Sequence, residues 1–213
     1  MKKVLTFAAA IMLFAGMASA QLGVHVGYAP QTYLTKYTSG STTVSDTTSM
    51  TGLFVGVDYN VAITGDLKVS VGLQGRYNTN SESTTLLGVT TKVDATQMLI
   101  DVPVLFNYGL NLTDALKLSV FAGPTITYAL SGNTKTTVSG TPGGLLDGTT
   151  ENNWYGDNTN LKKLDVALSL GVALTFSDIK LFGGYNMGLM NLTTADNTTM
   201  KGSNLFIGVG YNL

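Results

Sequence analysis

Between Leu164 and Phe176 the chain reads LDVALSLGVALTF. Every even-numbered position in that stretch is Leu, Val or Phe, and the positions between are Asp, Ala, Ser, Gly, Ala and Thr. Successive side chains leave an extended strand on opposite faces, so a strict period of two predicts a strand with one apolar and one small or polar face. The alternation recurs in runs at about 22–34, 51–63, 67–78, 93–111, 116–129, 161–177, 179–191 and 203–213. Eight amphipathic strands must turn their apolar faces together, either into a protein core or out into lipid. Alternation alone does not choose between them.

The opening MKKVLTFAAAIMLFAGMASA has Lys2 and Lys3 ahead of an apolar run and closes on Ala18-Ser19-Ala20, the build of a secretory signal peptide cleaved before Gln21. Residues 1–20 are therefore expected to be removed, leaving one domain over 21–213. The chain has no cysteine, which excludes a disulfide framework and a thiolate metal site. Its net charge of −1 and charged fraction of 12% argue against nucleic acid as a partner. Beyond the leader no apolar run reaches the ~18 residues of a membrane helix. If this chain spans a membrane, it must do so as a closed barrel, in which every backbone polar group is paired.

The connections between the eight runs alternate in length. Residues 64–66, 112–115 and 177–178 are short links, whereas those near 38–50, 79–92, 130–160 and 192–202 are long and rich in Thr, Ser, Asn and Gly. Tight turns at one end and long loops at the other are the pattern of an outer-membrane barrel, with the tight turns in the periplasm. The short links share a motif, GDLK at 65–68, TDALK at 113–117 and SDIK at 177–180. An Asp is expected to cap each turn, and Lys68, Lys117 and Lys180 to point to the small-residue face at one height. These lysines are read first as solvated turn charges and second as a functional ring at the periplasmic mouth.

Tyrosine placement favours lipid for the apolar face. Tyr28, Tyr59, Tyr77, Tyr108, Tyr128, Tyr185 and Tyr211 all share its parity, most of them near strand ends, as an aromatic girdle at the headgroups requires. The small face carries His25, Asp58, Lys68, Arg76, Asp101, Lys117, Asp165 and Lys180, with few bulky apolar residues such as Phe121. Charges suit a lumen, since Lys or Arg on the lipid side costs ~2–4 kcal/mol at mid-bilayer. Counting from the short links places Arg76 and Asp101 at similar heights on neighbouring strands, so they are expected to form a structural ion pair in the lumen, with Asp58 as the alternative partner. His25, Asp58 and Asp165 are expected as further polar lumen residues.

The chain ends FIGVGYNL with no residue beyond the last strand, so that strand is expected to close the barrel. It is similar to the C-terminal signal read by the barrel-assembly machinery, although it ends on Leu213 rather than Phe. LIDVPVLFNYGL (99–110), FAGPTITY (121–128), GYNMGLMNL (184–192) and IGVGYNL together resemble the outer-membrane β-barrel domain family of the Bacteroidetes, often called the porin family. The resemblance implies an eight-stranded outer-membrane barrel and brings no catalytic residues. Pro103 within a strand predicts a bulge or a locally unpaired position.

Catalytic, metal and cofactor chemistry finds little support. The only histidine, His25, stands apart from scattered Ser and Asp residues, and lone Asp residues on separate strands are read as charge partners, not metal ligands. The glycines of FGGYNMG precede no helix and read as close-packing positions. In the longest loop Trp154 and Tyr155 are outer contact candidates, with packing on the barrel rim as the alternative. Asp46-Thr47-Thr48 resembles a short O-glycosylation motif. The expectation is an all-β protein: an eight-stranded antiparallel up-and-down transmembrane β-barrel with short periplasmic turns, long outer loops and a filled lumen. It is expected to be monomeric, to lie in the cell outer membrane among its lipids, to have a structural or surface-interaction role, and to have no enzyme activity or cofactor. The assembly machinery and a surface ligand met through the outer loops are the partners considered. Two alternatives stay open at this point: a narrow porin-like channel, and a secreted soluble barrel holding an apolar ligand.

Overall fold

The computed structural model describes residues 20–113, 115–140, 144, 147–156 and 159–213. The expected leader lies outside them except for Ala20, as does Asp114 of the second short link. Ten strands form one antiparallel sheet: β1 (Ala20–Tyr28), β2 (Gln31–Ser39), β3 (Thr42–Thr64), β4 (Leu67–Leu86), β5 (Val89–Asn111), β6 (Leu116–Ser139), β7 (Gly148–Asn153), β8 (Leu164–Phe176), β9 (Ile179–Gly188) and β10 (Thr198–Asn212). β1 and β2 are two halves of one stave, since each pairs β3 on one side and β10 on the other without a change of register. The run expected over 22–34 is broken at Ala29-Pro30, where proline offers no N–H to the ladder. β3, β4, β5, β6, β8, β9 and β10 complete a ring of eight staves. The final strand closes on the first, from Tyr28 opposite Ile207 to Gly23 opposite Asn212.

The faces divide as the alternation requires. Leu53, Val55, Leu170, Val172, Leu205 and Ile207 stand exposed on the outside, each between 49% and 64% accessible, whereas Ser169, Ala173, Asn204 and Phe54 of the same strands are buried inside. A contiguous outer belt of this kind has no place in water. It excludes the soluble carrier, whose apolar side chains would have to face inward. Among the tyrosines, Tyr28, Tyr77, Tyr108, Tyr128, Tyr185 and Tyr211 are exposed on the belt side, and Tyr59 is half-buried there.

One expectation about the connections needs correction. Three of the long segments are largely not loops: β2 and β3 continue as a hairpin to a turn at Gly40, β4 and β5 to a turn at Leu87-Gly88, and β6 pairs β7 from Asn133 to Val138. Their Thr-rich strands lack alternation because both faces meet water above the bilayer. In the first and third short turns the residue just before the aspartate takes the left-handed backbone. Gly65 and Ser177 take the positive φ, and in the middle turn the Thr113 hydroxyl receives the Leu116 N–H. At Pro103 the β4–β5 ladder passes from Val71 opposite Val104 to Gln74 opposite Asp101 with the two intervening pairs missing, the local unpairing its ring demands.

Candidate functional site

Four phenylalanines cross the middle of the lumen. Phe182 lies 6.1 Å from Phe54 and 6.2 Å from Phe206, Phe206 lies 6.2 Å from Phe121, and the His25 ring joins Phe54 and Phe182 at 5.9 and 5.8 Å. The reason these large rings fit among small residues is in the pairing. Phe54 stands opposite Gly27, Phe121 opposite Gly171, Phe182 opposite Gly208 and Phe206 opposite Gly184. A Cβ at any of the four glycines would overlap the facing ring. Each phenyl therefore lies down on a neighbouring strand and covers bare backbone.

Beside this layer, toward the outer end, Arg76 and Asp101 meet at 5% and 2% exposure. Arg76 Nη2 donates to Asp101 Oδ1 at 3.1 Å, Nη1 donates to Gln31 Oε1 at 2.7 Å, and Nε sits 3.1 Å from Oδ2 without hydrogen-bond alignment. Asp101 also accepts from Thr127 Oγ1 at 2.7 Å and Gln74 Nε2 at 3.1 Å. These donors satisfy a buried carboxylate that would be costly to leave unpaired. Further out, Gln97 Oε1 accepts from Tyr33 and Asn78, and Gln97 Nε2 donates to the Tyr155 hydroxyl at 2.7 Å. Asp165 borders the same small cavity as Arg76, and its Oδ1 makes no hydrogen bond.

Asp58 faces the opposite way. Its Oδ1 receives His25 Nδ1 at 2.9 Å and lies 3.6 Å from Lys180 Nζ, and its Oδ2 accepts from Asn60 at 2.5 Å. The His25 ring is bonded to the Asp58 carboxylate and packs against Phe54 and Phe182. Among the described residues no three His, Asp or Glu side chains gather as a metal site needs. Lys68, Lys117 and Lys180 line one cavity of about 270 Å³ at the short-turn mouth, and Lys117 Nζ reaches Asp66 Oδ1 at 3.3 Å.

Trp154 and Tyr155 are half-buried, with their polar atoms used inside the fold. Trp154 Nε1 donates to Thr134 at 2.8 Å, its ring packs against the cluster of Tyr33, Met50 and Leu192, and Tyr155 reaches Gln97. Two groups escaped the sequence reading. Gln31, Gln97 and Asn78 gave no signal of their own, since their roles depend on partners up to 172 residues away. The Phe–Gly pairs had one: each Phe breaks the small-face rule at a position whose counterpart on the next strand is glycine.

Residues 14–194 match the family model described as outer membrane protein beta-barrel domain. No curated protein matches the chain in sequence. Among solved structures it is similar to Neisserial surface protein A, with 11% identity over 92% of this chain and 99% of that one, at a TM-score of 0.43. It is also similar to Ail, the attachment invasion locus protein of Yersinia pestis, with 13% identity, coverage of 92% and 99%, and a TM-score of 0.39. The outer membrane protease OmpT from Escherichia coli matches at 10% identity, 92% and 97% coverage, and a TM-score of 0.43.

Proposed function

The chain belongs to the outer membrane protein beta-barrel domain family and lies in the outer membrane, and from that premise we propose that it is a closed, non-conducting barrel that presents its outer hairpins at the surface and has no enzyme activity. The observation that carries this reading is the blocked lumen. Cavities of about 30 and 80 Å³ lie above and against the aromatic layer, and the 270 Å³ cavity lies at the short-turn mouth. Three of the phenyl rings, Phe121, Phe182 and Phe206, wall the 80 Å³ cavity, which abuts the mouth cavity at Asn107, Ala173 and Lys180, and the Arg76–Asp101 pair stands between it and the 30 Å³ cavity. An eight-stranded barrel is only wide enough for its side chains to fill.

In this proposal the apolar belt is solvated by outer-membrane lipids, the final strand is read by the assembly machinery, and the barrel works as a monomer without nucleic acid. A cleaved leader over residues 1–20 and an origin in the Bacteroidetes porin family belong to the same reading, supported by the residues quoted above. So does a surface partner for the hairpins, whose Thr-rich strands stand clear of the membrane.

Planar-bilayer recording tests the central claim. The purified protein should insert without conductance steps. Discrete steps from the wild type would establish the narrow channel instead.

A further inference from the structure

The three lysines at the short-turn mouth do more than solvate turns: we propose that Lys68, Lys117 and Lys180 form a binding site for a small oxyanion, a phosphate or carboxylate, open to the periplasm. The cavity they share is about 270 Å³, and no Asp or Glu is among the described residues that line it. The rest of its wall is rich in neutral hydrogen-bonding groups, among them Asn60, Asn107, Ser119 and Thr175. Three of the chain's 12 Lys and Arg residues converge here although the whole chain carries a net charge of −1, so general basicity does not explain the cluster.

The local charges do not cancel. Lys117 is held by Asp66 at 3.3 Å. Lys180 lies 3.6 Å from Asp58, whose carboxylate is already engaged by His25 and Asn60. Lys68 has neither an ion-pair nor a hydrogen-bond partner among the described residues, and it shares the cavity with the like charges of Lys117 and Lys180. Repulsion of this kind is relieved by an anion between the three, and the two paired lysines are thereby fixed in place to receive it. A free solute and a phospholipid headgroup of the inner leaflet share the required chemistry.

Titration calorimetry with inorganic phosphate, on folded protein in a phosphate-free maltoside detergent at low ionic strength, tests the site. One saturable site is expected. Lys68→Met should weaken it by about tenfold, the size of one charge-assisted contact. Lys68→Arg should retain it, and Lys36→Met in the outer hairpin should leave it unchanged. Heat-modifiable migration on a gel verifies that each variant is folded. Repeating the titration in nanodiscs with and without phosphatidylglycerol assigns the source: competition by the lipid identifies a headgroup, and its absence a soluble anion. Unsaturable binding by the wild type, or equal binding by Lys68→Met, would overturn the proposal.

Discussion

Arg76 and Asp101 show how far single residues can be argued from the chain. Parity puts both on the small face, and counting from two short turns puts them at similar heights on neighbouring strands. Counting could not supply Gln31 and Thr127, which complete the cage from two other strands. Because that cage is buried, removing one charge strands the other. Arg76→Met or Asp101→Leu alone should cost about 3–5 kcal/mol, and the double variant much less than their sum. Urea unfolding from lipid vesicles measures the cycle, and additive losses would mean that the contact carries no coupling. The aromatic layer makes a second claim at this scale. Gly171→Ala introduces a methyl group under the Phe121 ring and should destabilise by about 1–3 kcal/mol, whereas Gly75→Ala, whose added Cβ meets only the Val55 carbonyl oxygen at 4.0 Å, should stay near neutral in the same assay.

Strands were legible where one face meets lipid and the other a packed lumen, because only there does composition alternate. β8 is the clearest case, and Leu170 in its middle is the test of orientation. Leu170→Arg should impair folding into vesicles by about 2–4 kcal/mol, and no penalty would invert the face assignment. The outer parts of β2 to β6 were illegible for the complementary reason: with water on both sides, Thr and Ser serve every position. This difference predicts what can be cut. Deleting residues 82–93 at the β4–β5 tip, where Leu87 is 97% exposed, should leave barrel folding intact. Deleting 148–156 removes β7 together with the rim contacts of Trp154 and Tyr155, and should lower the urea midpoint. Equal effects of the two deletions would show that the rim contacts are idle.

As a whole molecule the barrel was readable to its strand count, its end-to-end asymmetry and its inside-out faces, all of which follow from periodicity and connection length. The filling of the lumen was not, since it depends on which strand lies beside which. The four Phe–Gly pairs then have a bearing on how the barrel reaches its final form. If β10 slid two residues along β9 in one direction, Phe206 would meet Phe182; in the other, glycine would face glycine and leave a hole. The same slip between β6 and β8 would set Phe121 against Ser169 or Ala173, and between β1 and β3 it would set Phe54 against His25 or Ala29. Backbone hydrogen bonding alone tolerates such slippage, but these rings do not. They act as the teeth of a ratchet, so that a cylinder of many near-equivalent alignments can close in only one.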